Sequence, residues 1–449
     1  MPANMRIAIL AVLLLALLGS PSTATAQGRQ ISLIRDTEIE TTIRTYTTPI
    51  FLAARLDPAA VRIYLVNDNQ INAFVAGGQN LFINTGLLMQ SKDAGQVIGV
   101  IAHETGHIEG GHLTRVHDAL RRNTAENILA MVLGAAAMVA GAPEVGSAVM
   151  LGGQNVATRN LLQYSRTQEG AADAAAMRYL DATQQSAEGL LTFFQLLAKQ
   201  DLLVSTRQDP YLRTHPLTQD RIAALDAFVQ RSPYSNKPVD PKLEAMHRRM
   251  VAKLSGFLED PVQVKRRYPP SDTSLEARYA RAVADHRMNR PKEALAGMDS
   301  LLAEYPNDPY FLELKGQILL ETGRPREALG PYRKAVEQLP DAPLLRSDLA
   351  RIEMGLDDEA LLNDAITNLR LSLLRDADRP GVWRQLAVAL GRDGQEGESA
   401  LALSEEALLL GKPADAKYHA GKAERLLPPG SPDWLRAQDI QQVIAQNKG

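Results

Sequence analysis

The sequence predicts two folded regions in series: an α+β domain, mostly helical with a small antiparallel sheet, and after it an all-α solenoid of stacked helix pairs. Three observations carry this expectation. Short β-branched runs flanked by turn formers cluster between residues 63 and 84. Amphipathic helical patterns follow them. Beyond residue 273 the sequence repeats itself at an offset of 34 residues. At 449 residues the chain is also too long for one ordinary core.

Composition narrows the function classes. With 45% hydrophobic and 22% charged residues the chain reads as globular. A formal net charge of -3 provides no basic stripe for a nucleic-acid partner, and none is expected. There are no cysteines, which excludes disulfides, zinc–cysteine sites and thiol catalysis. Any metal must sit on His, Asp or Glu, and only eight histidines are present.

Residues 1–26 read as a cleavable export signal. Arg6 precedes an apolar run of 12 residues, Ile7 to Leu18, and Ala24-Thr25-Ala26 is a small-x-small cleavage site. The mature first domain, 27–231, then opens with the strand Ile63-Tyr64-Leu65-Val66. Asn72 to Ala76 and Asn80 to Asn84 flank Gly77-Gly78 and read as a hairpin. Ser91 is expected to cap the next helix, with Asp93 in its first turn. That helix carries Val97, Ile98, Val100 and Ile101 into His103-Glu104-Thr105-Gly106-His107. Ile128 to Ala142 is an Ala/Gly-rich apolar stretch of 15 residues, too short for a full span. It reads as a buried helix or as a segment in peripheral contact with a membrane. A further helix is expected from Gln163 to Leu180.

Six prolines between Ser232 and Thr273 mark 232–273 as a linker around a connecting helix. The repeat region is 274–449. Pro291-Lys292-Glu293-Ala294-Leu295 recurs as Pro325-Arg326-Glu327-Ala328-Leu329, and Pro306 and Pro309 recur as Pro340 and Pro343. The period, with Gly316, Ala328, Tyr332, Ala335 and Pro340 in the best unit, resembles tetratricopeptide repeats. The next unit starts at Pro380, which implies a three-residue insertion, and a weaker one starts near Pro413. Stacked units of this kind present a concave surface suited to proteins.

The chemistry concentrates in the His-Glu motif. His103 and His107 lie on one helix face, roughly 40° apart, and can share one metal, while Glu104 can reach a metal-bound water. The expected metal is a single Zn2+, which needs a third protein ligand. His112 falls one residue short of the spacing seen in metzincins, and on a continuing helix it points away from His103. It reads as a packed or surface histidine. Glu169 and Asp173 share a helix face within Glu169-Gly170-Ala171-Ala172-Asp173. On spacing alone they are equally a third ligand with its supporting carboxylate, or a solvated acidic pair.

H-E-x-x-H followed by E-x-x-A-D and by His215-Pro216-Leu217-Thr218-Gln219-Asp220-Arg221 resembles the zinc metallopeptidase family that includes HtpX and the CAAX prenyl proteases. The Gly77-Gly78 hairpin leading to Asn84-Thr85-Gly86-Leu87 is similar too. The resemblance implies a zincin-like metalloprotease domain with His103, His107 and Glu169 as zinc ligands. It implies Glu104 as catalytic base, and Asp173 and Arg221 as supporting residues behind the ligands. His215 is expected to stabilise the oxyanion or to gate the metal. An export signal, a protease domain and tetratricopeptide repeats together resemble the periplasmic members of the family. Those members imply unfolded or misassembled outer-membrane proteins as substrates, and docking of the repeats on β-barrel assembly machinery. A chaperone or scaffold in which proteolysis is secondary is the competing expectation.

Overall fold

The computed structural model describes residues 32–112, 166–203, 210–356 and 358–446. The export signal and the Ile128 to Ala142 stretch lie outside them. The first region begins with strand β1 (Leu33–Ile34) and helix α1 (Thr37–Ala53). Asp36 starts α1 by accepting from the Ile39 N–H, and Ile39, Ile43, Tyr46 and Ile50 form its buried stripe. Strands β2 (Arg62–Val66), β3 (Ala73–Ala76) and β4 (Asn80–Asn84) complete a sheet of order β1-β2-β4-β3. The expected hairpin is β3–β4, paired antiparallel from Ala73↔Ile83 to Ala76↔Asn80.

The sheet is mixed rather than antiparallel, because β2 and β4 pair in parallel. The chain crosses over between β2 and β3, so the returning strand β4 runs the same way as β2. Leu81 and Ile83 thereby join Leu65 and Ala73 in the buried core. On the opposite face Tyr64, Phe82 and Phe74 stack ring on ring, with both centroid separations 4.9 Å.

Helix α2 (Thr85–Gln90) leads to α3 (Ala94–Glu109). Ser91 does not cap α3. Its hydroxyl donates to the Leu87 carbonyl at 2.7 Å and closes α2. Asp93 is the cap, accepting from Gln96 N at 2.9 Å, because it stands three residues before that donor. Next come α4 (described over 166–182), α5 (Glu188–Leu203), α6 (Pro210–Thr214) and α7 (Gln219–Val229).

The stretch 232–273 contains α8 (Pro241–Leu258) and α9 (Pro261–Arg267), each entered through an aspartate cap followed by proline. α8 faces both regions. Met250 and Leu254 belong to the core of the first domain, while Ala252 packs with Val264, Ala280 and Ala284.

The repeats follow as five helix pairs: α10 (Leu275–Arg287) with α11 (Pro291–Glu304), α12 (Pro309–Glu321) with α13 (Pro325–Gln338), α14 (Pro343–Met354) with α15 (Glu359–Arg375), α16 (Pro380–Arg392) with α17 (Glu396–Leu409), and α18 (Pro413–Leu426) with α19 (Pro432–Gln446). This is an all-α tetratricopeptide-repeat array. The three-residue insertion is visible in the second helix of the third pair. α15 has 17 residues where α11, α13 and α17 each have 14.

A buried polar cluster joins the two regions. Lys253 Nζ on α8 lies 2.7 Å from Asp36 Oδ2 and 3.3 Å from Glu38 Oε2. Arg249 pairs with Glu38 and reaches Asp308 Oδ1 at 2.6 Å, its guanidinium 4.0 Å from the Phe311 ring centre. Tyr279 OH donates to Glu38 at 2.8 Å, and Thr37 Oγ donates to Glu313 at 3.2 Å. Both cations here, Lys253 and Arg249, meet carboxylates from other elements. Among the described residues, no helix is long and apolar enough to cross a membrane.

Candidate metal centre

His103, Glu104 and His107 occupy the last two turns of α3. His103 and Glu104 are fully buried, and His107 is half-buried. α4 approaches α3 closely enough to bring its acidic face to them because Gly106 has no side chain. A Cβ at Gly106 would fall 2.8 Å from the Ala172 carbonyl oxygen. Ala172, Ala175 and Ala176 keep the α4 side equally lean. This contact delivers Glu169 and Asp173 as buried residues rather than a solvated pair.

Their lone pairs converge. His103 Nε2 and His107 Nε2 are 3.2 Å apart. Glu169 Oε2 is 3.4 Å from His103 Nε2, and Glu169 Oε1 is 3.4 Å from His107 Nε2. Asp173 Oδ1 sits 2.8 Å from His103 Nδ1, so the far ring nitrogen is engaged and Nε2 faces the common point. His215 enters from the turn after α6, where its N–H donates to the Tyr211 carbonyl at 2.7 Å. Its ring lies on Tyr211, centroids 4.7 Å apart. His215 Nδ1 is 3.2 Å from Glu169 Oε1, and Nε2 is 3.4 Å from Glu104 Oε1. One ligand atom from each of His103, His107, Glu169 and His215 falls within 4.8 Å of the others.

Arg221 stands behind this set in the first turn of α7. Its Nε and Nη2 hold Asp173 in a fork at 2.6 and 2.8 Å. Its Nη1 lies 3.0 Å from Glu169 Oε2 and donates to the Pro216 carbonyl at 2.9 Å. The His-Pro segment and the arginine five residues later are therefore one unit. The guanidinium also rests on the Phe194 ring at 4.9 Å.

The electrostatics favour a positive charge at the common point. Burial opposes ionisation of His103, but hydrogen bonds to Asp173 and Glu169 carry its pKa up to about 9. Burial, reinforced by the neighbouring His103 charge, drives His107 down to about 2, so that its ring is neutral. Burial works against the Glu169 carboxylate, yet hydrogen bonds to His103 and His215 hold it well below the usual range. Asp173 is likewise lowered despite burial, by Arg221 and His103. Burial raises Glu104, and neither of its oxygens has a hydrogen-bond partner among the described residues. Two facing imidazole nitrogens and a carboxylate form a donor set that a metal cation can bridge in place of a shared proton.

The donor set fits zinc. Ligand atoms bound tetrahedrally at about 2.0–2.2 Å lie about 3.3–3.6 Å apart, against the observed 3.2–3.4 Å. Nitrogen and carboxylate oxygen are both ordinary zinc donors.

His112 is a packed histidine, as expected, but it packs in a way that spacing did not suggest. His112 does not continue around α3. The helix ends at Glu109, and Gly111 turns the chain back with φ +58°. The buried His112 ring lies against Gly110, where a Cβ would fall 2.4 Å from Nε2, and its Nδ1 is 3.0 Å from His107 Nδ1. His112 thus occupies the far nitrogen of His107, as Asp173 does for His103. The Gly110-Gly111 pair was the available signal for this turn. Glu109 points elsewhere and accepts from Tyr179 OH at 2.7 Å.

Residues 34–229 match the family described as Peptidase family M48. The chain is 27% identical over 352 residues to the Beta-barrel assembly-enhancing protease of Yersinia pestis, covering 78% of this chain and 71% of that protein. It is 25% identical to the protein of the same name from Escherichia coli K12, covering 66% of this chain and 61% of that one. Metalloprotease LoiP of Escherichia coli K12 is 28% identical over 36% of this chain and 60% of its own length.

Proposed function

We propose that this metalloprotease, whose residues 34–229 match peptidase family M48, is a zinc endopeptidase of the periplasm that cleaves misfolded or stalled outer-membrane proteins, with its repeats docking on β-barrel assembly machinery. The observation that carries the catalytic part is the convergence of His103 Nε2, His107 Nε2 and Glu169 on one point, with the unpartnered Glu104 carboxylate beside it. The names of the relatives support the assembly role, and the length of the repeat array supports a docking one.

A zinc held by His103, His107 and Glu169 would polarise the scissile carbonyl and make water acidic enough to attack near neutral pH. Glu104 takes the proton of that water and returns it to the leaving amine. Its burial raises its proton affinity, which suits the first half of that task. Asp173 fixes the His103 tautomer, and Arg221 keeps both Asp173 and Glu169 ionised and in place. His215 stands between Glu104 and Glu169, where it can donate to an oxyanion or join the ligand set at rest.

Stripping the protein with a chelator should abolish cleavage of an unfolded substrate such as reduced casein, and zinc should restore it. Glu104→Gln should lose about 10²–10⁴-fold in kcat while retaining one metal per chain. A Glu104→Gln protein that still cleaves at the parent rate removes the endopeptidase reading. If that variant instead fully supports outer-membrane assembly in cells, the scaffold function dominates. For His215→Ala, lower activity assigns the oxyanion donor and higher activity assigns the gate.

A further inference from the structure

The extra turn of α15 places an unusual feature opposite the sheet. After Arg375 the chain forms a short connection to α16, and two of its carboxylates reach the first domain. Asp376 Oδ2 is 2.8 Å from Arg35 Nη2, and Asp378 Oδ2 is 2.5 Å from Arg62 Nη1. With 14 residues, like its counterparts, α15 would stop a turn short of this contact. Between the connection and the sheet lies a cavity of about 1010 Å³. A second, of about 630 Å³, shares Arg44, Ile63 and Arg375 as walls and extends along α1. None of the metal-centre residues lines either.

One wall is an open strand edge. β1 pairs with β2 only at Leu33↔Val66 and Ile34↔Leu65 before the chain turns into α1. Arg62 N–H donates to Gln79 O on the β4 side. Alternation along the strand therefore directs the Ile63 N–H and C=O to the side that β1 has vacated. The opposite wall is polar and cationic. Six arginines and four carboxylates line the larger cavity. Arg379 Nη1 and Gln385 Oε1 are buried there without a hydrogen-bond partner among the described residues. Leu374, on the inserted turn, also lines the cavity and is 76% exposed. A strand edge supplies main-chain groups, and a guanidinium nitrogen without a hydrogen-bond partner has a place for a further acceptor.

We propose that this trough docks an extended polypeptide segment bearing a carboxylate, whose backbone adds to β2 at Ile63 while the carboxylate pairs with Arg379. The occupant follows from charge: the arginine excess repels a basic segment, and a purely apolar one leaves Arg379 Nη1 without an acceptor. The site lies on the β2 edge, apart from the metal centre, so its occupation is readable without cleavage.

The test uses full-length, metal-loaded protein carrying Glu104→Gln, with two fluorescein-labelled peptides of about 12 alternating valine and threonine residues, identical except for one aspartate or asparagine. Fluorescence anisotropy should show the aspartate peptide binding at least about tenfold more tightly. Arg379→Gln should erase that preference, and Arg379→Lys should retain part of it. Because the chain has no cysteine, Leu374→Cys carrying a benzophenone label should cross-link to the aspartate peptide with Arg379 intact. Equal binding of the two peptides, a preference that survives Arg379→Gln in folded protein, or no cross-link from position 374 overturns the proposal.

Discussion

The molecule buries two charged clusters, and they are built on opposite principles. Around Lys253 and Arg249 each cation meets carboxylates from other elements, Asp36, Glu38 and Asp308, so both positive charges are matched within the protein. At the metal centre, His103, His107 and Glu169 turn lone pairs toward one another, and Glu104 keeps both oxygens without a partner. In the first cluster both cations are matched within the protein. The second offers a metal cation three convergent donors. The imbalance of donors and acceptors, more than burial or charge, separates a site from a strut.

The largest effect that would break this contrast lies at Glu169. Glu169→Gln removes the only anionic ligand, and metal content and proteolysis should both fall by more than about 100-fold; full zinc occupancy by atomic absorption would transfer the ligand role elsewhere. Next comes Lys253→Ala, which leaves Asp36 and Glu38 without their shared ammonium. Urea unfolding should register a loss of about 3–5 kcal/mol with zinc content of the folded protein unchanged. A neutral result would mean that the balanced cluster contributes nothing to joining the halves.

His112→Ala sharpens the contrast from the other side. Its ring supports His107, so zinc affinity measured by chelator competition should drop about 10–100-fold. Unchanged affinity would reduce His112 to packing. The smallest effect concerns pH. Burial, only partly offset by Lys253, pushes the Glu313 carboxyl up from 4.5 to about 8. A carboxyl raised in the folded state contributes stability that is fully present below pH 4.5 and is lost as pH rises through about 8. The thermal midpoint should therefore decline across that window, and Glu313→Gln should flatten the decline.

What could be read in the sequence divides along the range of the interaction. His103, Glu104 and His107 share one helix face, and the repeat period is local too. Both are visible within a few turns of chain. Glu169 and Asp173 stood open on spacing alone, because their burial depends on the approach that Gly106 allows between distant helices. The parallel β2–β4 pairing and the position of His112 were missed, since each is set by a change of chain direction rather than by periodicity. Asp93 displaced Ser91 as cap because two candidates two residues apart differ only in which donor they meet. The cluster around Lys253 gave no warning at all. Its members look like ordinary surface charges until three elements fold together over them.

Helix Pro241–Leu258 belongs to two cores at once, with Met250 and Leu254 on one side and Ala252 on the other. No cut in the proline-rich stretch before it yields an intact protease: a fragment ending at 231 loses part of its own interior and leaves Glu38 facing solvent. A separately expressed repeat array starting at 274 has the converse defect, with Ala280 and Ala284 uncovered. Heating the whole chain should accordingly melt both halves in a single cooperative step rather than two. The first two repeat pairs are tied to the enzyme in this way, through Ala280 and Ala284 and through Asp308 and Glu313.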